Sequence, residues 1–175
     1  MRNDLRWLIA TGGNLLLMYL SLQVNHYLAA IPASVFLFGL PVGFAALRLT
    51  LGQGLAASAV TGLFYDTLTP FPLGVALVLF SITFTVIYTV RSQFHREEAF
   101  SSIIVALLAN LFLFAAFSGV AAAIGGTPGH PANLITDLLM SQVLIAVICG
   151  WFFSFQIAFL ALFGINIGKE QREAR

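Results

Sequence analysis

Residues 102–124, SIIVALLANLFLFAAFSGVAAAI, decide the fold class. The run has no charged residue, and its polar side chains are Ser102, Asn110 and Ser118. As an α-helix rising 1.5 Å per residue it reaches about 35 Å. That is enough to cross a hydrocarbon core of about 30 Å. In a soluble domain a run of this kind would have to be buried on every side.

Working outward, the same character extends along the chain. Stretches 7–47, 49–65, 67–90, 99–136 and 138–168 are free of Asp, Glu, Lys and Arg. Charged residues make up 9% and hydrophobic residues 59% of the 175, with a mean hydropathy of +0.96. A soluble domain carries about 25% charged residues, so a soluble globular domain and a disordered chain are excluded. A nucleic-acid binder is excluded too, because phosphate contacts need many exposed cations. The single cysteine, Cys149, leaves no disulfide framework and no thiolate metal cluster.

The apolar stretches predict an all-α, polytopic membrane protein with six transmembrane helices. They lie near residues 7–23, 32–47, 52–65, 71–90, 102–124 and 133–163, in one integral membrane domain over 1–175. Six spans of about 20 residues use about 120 residues, so no sizeable extramembrane domain fits. The first apolar stretch has basic flanks but no small-residue cleavage site followed by a soluble domain, and reads as a retained span. Pro32 suits the first turn of the second helix, and Pro41 is expected to kink it. The second and third spans are short, either shielded by neighbours or partly re-entrant. The sixth would reach about 45 Å and must tilt, kink or extend past the hydrocarbon.

Cation placement sets the orientation. Arg2 and Arg6 precede the first helix, Arg48 follows the second, Arg91 and Arg96 follow the fourth, and Lys169, Arg172 and Arg175 follow the sixth. With six spans all of them fall on one side, and the loops near 24–31, 66–70 and 125–132 contain no Lys or Arg. Cytoplasmic loops hold the excess of Lys and Arg, so both termini are predicted inside. Asp66 and Asp137 then lie near the outer ends.

Several features could carry chemistry. Gly54, Ser58, Gly62 and Asp66 recur at intervals of four and so share a helix face. Small residues there let another backbone approach, for packing within the chain or for docking a partner helix. Asp66, at a helix end beside Thr67, Thr69 and Pro70, is either a polar cap or turn acceptor, or a partner-contact or proton-linked acid. Asp137 reads as a first-turn acid stabilised by the helix dipole. Arg91, His95, Arg96, Glu97 and Glu98 form the one dense charge cluster. It is either a solvated turn touching lipid headgroups or a docking site for a cytoplasmic protein.

His26 and His130 are expected outside and His95 inside, which rules out a three-histidine metal site. Asn14, Asn110 and the heptad-spaced Gln142, Cys149 and Gln156 read as packing points; a cavity lined by them is the alternative. Glu97–Glu98 lacks the companion residues of intramembrane prenyl-protein proteases. No nucleophile elbow, zinc-binding HExxH or phosphate-binding glycine loop occurs. No catalytic residue, metal or cofactor is implied.

The segment GLFYDTLTPFPLG, residues 62–74, resembles the signature of the rod shape-determining MreD family. Gly62, Asp66, Pro72, Leu73 and Gly74 match that pattern by position. The residues also have a physical reading. Gly62 permits close packing, Asp66 can accept backbone N–H groups in the turn, Pro72 presets the entry of the next helix, and Gly74 is expected to let that helix approach the third.

The resemblance implies a non-enzymatic, multi-pass scaffold of the bacterial cytoplasmic membrane, within the cell-elongation complex that builds peptidoglycan. Its implied partners are an MreC-like bitopic protein and, through the complex, MreB, RodA and a class B penicillin-binding protein. Membrane lipid is a further partner, nucleic acid is not, and a homodimer stays open. The family is similar in fold to the S-components of energy-coupling factor transporters, implying an S-component-like bundle. The alternative function is therefore vitamin binding as such a subunit.

Overall fold

The computed structural model describes residues 5–28, 34–69, 71–93, 99–124 and 131–165. Those residues contain no strand. They form six α-helices: α1 (Arg6–Leu28), α2 (Gly39–Arg48), α3 (Leu51–Leu68), α4 (Val75–Val90), α5 (Ala99–Ala123) and α6 (Pro131–Leu162). A short 3-10 turn, Arg91–Gln93, follows α4. Three stretches are long and apolar enough to cross a membrane: Arg6–Leu28, Phe100–Ala123 and Asn133–Leu162.

The core is apolar, as in a soluble bundle, but much of the outer surface is apolar too. Along α6, Ile135, Leu139, Val143, Val147 and Trp151 recur every four residues, and all are exposed, Val147 at 74%. The opposite face of the same helix buries Ser141, Ile145, Cys149, Gln156 and Leu160. Asn14, Ser58, Thr61, Asp66, Asn110, Ser141 and Gln156 are all buried, while large aliphatic side chains face outward from α1, α4, α5 and α6. Water would penalise that arrangement. Lipid tolerates it, because most of these polar side chains make hydrogen bonds inside the protein, as Asn14, Thr61, Asp66 and Ser141 do.

Helix α2 is the hub. It packs on α3, α4, α5 and α6, and every residue from Gly39 to Leu47 is buried. Glycine makes this closeness feasible at Gly39, where a Cβ would collide with the Ala106 carbonyl of α5. A cluster of rings fills the space beside α2. Phe38 meets Tyr65 at 4.7 Å and Phe117 at 5.3 Å between centroids, and Phe80 lies edge-on to Phe117 at 6.2 Å.

The structure corrects several expected boundaries. The second helix was expected from residue 32, but residues 34–37 are non-helical and the helix begins at Gly39. Pro41 consequently falls in the first turn of α2, where its missing N–H has no intrahelical acceptor to lose. It therefore starts the helix and kinks nothing. The first helix continues to Leu28, and the fourth begins at Val75 instead of residue 71. Arg2, Pro32, Pro70, His95, Arg96, Glu97, Glu98, Gly125, Gly126, His130, Lys169, Arg172 and Arg175 lie outside the described residues.

Contacts assign the ends of the bundle. Arg91, just after α4, reaches the end of α2 beside Arg48. The start of α1 and the residues after α6 share a cavity lined by Leu5, Leu8, Phe163 and Ile165. At the other end, Tyr65, Phe71, Phe117 and Asp137 line a second cavity. The described arginines therefore gather at one end and the aspartates Asp66 and Asp137 at the opposite one.

Candidate functional site

The stretch that carries the family resemblance folds as a helical hairpin closed by one carboxylate. Helix α3 ends at Leu68, where the Thr67 hydroxyl donates to the Phe64 carbonyl (2.7 Å) and the Thr69 hydroxyl to that of Tyr65 (3.2 Å). Helix α4 opens after Gly74, which stands at the N-cap with φ 100° and has no side chain with which to cap. Asp66 supplies the missing acceptors. Gly74 N–H donates to Oδ2 at 2.9 Å, Ala76 N–H to Oδ1 at 2.8 Å, and Leu77 N–H to Oδ2 at 3.3 Å. Three of the free donors at the start of α4 are thereby satisfied, and the carboxylate sits on the positive end of the helix dipole. Asp66 is only 3% exposed, so this is an internal clamp.

The glycines of the motif divide the work differently from expectation. At Gly62 a Cβ would lie 2.6 Å from the Ala76 carbonyl oxygen and 2.8 Å from Leu77 Cα, so this glycine allows the two helices to touch. At Gly74 an added Cβ meets nothing within 4 Å. Gly74 acts through its left-handed backbone, which L-residues with a side chain adopt at a cost, and not through close approach. Pro72 accepts from Val75 N–H at 3.3 Å, and Leu73 is 74% exposed.

The four-residue stripe on α3 is covered from within. A Cβ at Gly54 would enter the Phe84 ring of α4, Ser58 is buried, and Gly62 and Asp66 face the first turn of α4. The stripe therefore presents no open groove to another protein.

Arg91 has a comparable local task at the other end. Its Nη1 donates to the carbonyls of Ala46 (3.2 Å) and Leu49 (2.9 Å), and its guanidinium lies 3.6 Å from the centroid of the Tyr88 ring. A cation at the last carbonyls of α2 complements the negative end of that helix.

Two polar groupings stand out that spacing alone did not bring together. In the middle of the bundle, the Asn14 amide donates to Thr61 Oγ1 (3.3 Å), and Gln156 Nε2 donates to Asn14 Oδ1 (3.0 Å) and the Ala10 carbonyl (3.3 Å). This network ties α1, α3 and α6. At the aspartate end, the non-helical segment 34–37 is held by side chains. Ser34 N–H donates to Asp137 Oδ1 (2.7 Å), and Phe36 N–H to Ser141 Oγ (2.9 Å). Val35 exchanges two bonds with Asn25: its N–H donates to Oδ1 (2.7 Å), and its carbonyl accepts from Nδ2 (2.9 Å). Asn110 Oδ1 accepts from Gly39 N–H (3.3 Å), and Gln142 Nε2 donates to the Leu107 carbonyl (3.2 Å). The available sequence signal was the amide Asn25 at the end of an apolar helix, one turn after Ser21.

Between this strap, the α3–α4 turn, α5 and the start of α6 lies a cavity of about 200 Å³. Its walls include Phe36, Phe38, Tyr65, Phe71, Phe117 and Asp137. Among the described residues no group of three His, Cys, Asp or Glu side chains could hold a metal ion. Compared with protein-family models, with curated proteins and with solved structures, the chain matches none.

Proposed function

We propose that the chain is a six-span scaffold of the bacterial cytoplasmic membrane, with both termini inside, that positions cell-elongation proteins by helix-to-helix contact. The observation that carries this reading is the outward face of α6. Its exposed stripe from Ile135 to Trp151 runs on into a ladder of rings, exposed Trp151 and half-buried Phe155 and Phe159, stacked at 5.8 Å between successive centroids. Stacked rings present a large, rigid apolar surface, the kind of anchor that binding faces concentrate. Because α4 occupies the α3 stripe, this ladder is the better candidate for docking a partner's transmembrane helix.

Segment lengths support six crossings. The four non-helical residues 34–37 can reach at most about 13 Å, and the ten residues of α2 cover about 15 Å. Together they approach the thickness of a hydrocarbon core. Irregular backbone at that depth is tolerated where protein surrounds it, as Asn25, Asp137 and Ser141 do here. The gathering of Arg6, Arg48 and Arg91 at one end supports the inside orientation by the positive-inside rule.

The resemblance of residues 62–74 to the MreD signature names the partner class. It is an MreC-like bitopic protein and, through it, MreB, RodA and a class B penicillin-binding protein. Co-purification tests the reading. The detergent-solubilised chain should retain the bitopic protein, and the double variant Trp151→Ala, Phe155→Ala should release it without lowering the chain's own unfolding temperature. Retention of an ATPase module and a vitamin in its place would overturn the proposal.

A further inference from the structure

The cavity at the aspartate end holds one carboxylate in its wall. Asp137 is half-buried in its wall and accepts one described hydrogen bond, from Ser34 N–H to Oδ1. No described residue donates to Oδ2. The described arginines sit at the far end of the bundle. A half-buried carboxylate with one oxygen free of described donors can serve as counter-ion to a cation that enters beside it.

The rest of the wall fits a particular kind of cation. Phe36, Phe38, Tyr65, Phe71 and Phe117 surround the same space. Aromatic faces attract ammonium groups, most strongly when these are desolvated and alkylated. A cavity of about 150 Å³ admits a benzene ring, so about 200 Å³ has room for an alkylammonium group. A metal ion is a poor match, because the wall offers one carboxylate and mostly carbon.

We infer that this cavity is a binding site for an organic ammonium group, with Asp137 as its counter-ion and the surrounding rings as its cage. The ammonium can belong to the headgroup of an amine-bearing phospholipid or to a free small organic cation. The site is separate from the outward stripe of α6, so it stands or falls apart from the docking role.

The test is thermal unfolding of the purified chain in a non-ionic detergent at pH 8, where an ordinary histidine such as His130 is neutral. The probe is benzyltrimethylammonium chloride, and the controls are sodium chloride and the uncharged isostere neopentylbenzene. The expected result is a saturable rise of a few degrees with the ammonium alone. Asp137→Asn keeps an oxygen for Ser34 N–H and should weaken the response at least tenfold. Ala121→Leu, which adds bulk to the cavity wall and leaves the carboxylate in the sequence, should abolish it. No saturable rise in the unmodified chain, or an equal rise with neopentylbenzene, would overturn the inference. So would an undiminished response in a folded Asp137→Asn variant. Native mass spectrometry separates the sources. An amine phospholipid that is retained and then displaced by the probe indicates the headgroup; probe binding with no such lipid indicates a free cation.

Discussion

The aspartate end contains two irregular pieces of backbone, and they are secured in opposite ways. The turn between α3 and α4 is closed by the single carboxylate of Asp66, which takes three N–H groups only 8 to 11 residues ahead of it. The strap before α2 is held by Asn25, Asp137 and Ser141, one or two bonds each; Asp137 and Ser141 lie more than 100 residues away. Both satisfy the requirement that backbone groups withdrawn from water be paired. The turn concentrates that function in one residue, whereas the strap distributes it over two helices. The turn should therefore fail abruptly and the strap by degrees.

Mutations can break this comparison, and unfolding in mixed micelles can read it. Asp66→Ala should cost most, on the order of 3–5 kcal/mol, because three donors lose their acceptor together in a buried site. Asp66→Asn, which retains one oxygen, should recover part of that loss. Gly62→Ala should follow at about 1–3 kcal/mol, since its Cβ would press on the α4 backbone. Gly62→Leu should weaken the hairpin further. Asn25→Ala should cost about 1–2 kcal/mol and raise hydrogen exchange at Val35 more than at Ser34 or Phe36, whose acceptors survive. Gly74→Ala should be mildest, about 1 kcal/mol, from backbone strain alone, because the space around it is open. A larger loss from Asn25→Ala than from Asp66→Ala would reverse the proposed contrast.

The same contrast explains what could be read from the sequence. The helical, membrane-type character followed from the long apolar runs, because a span needs only length and hydropathy. The α3–α4 turn was legible because its acceptor, small residues and glycine N-cap are all local. Asp66 could be placed in a turn as an acceptor of N–H groups without knowledge of the rest of the fold. The start of α2 was not legible. Apolar periodicity continues through Val35, Phe36 and Leu37, and the alternative to helix there depends on Asp137 and Ser141. Gly74 was assigned to close packing because a glycine in sequence does not declare whether it serves contact or conformation. The cavity likewise required tertiary structure, since its walls come from five separate parts of the chain.

The Asp66 clamp also bears on how the protein is made. Helix α3 ends in a carboxylate that, with no α4 beside it, would have no N–H groups to receive. On the six-span reading proposed above, an unpaired aspartate costs about 2.5–3.5 kcal/mol at a helix centre, and less near a helix end, where Asp66 stands. Closing the hairpin removes that penalty and gives α4 its cap in the same step. On the same six-span reading, α3 and α4 are expected to enter the membrane as one unit, the third helix waiting in the translocon until the fourth has emerged from the ribosome.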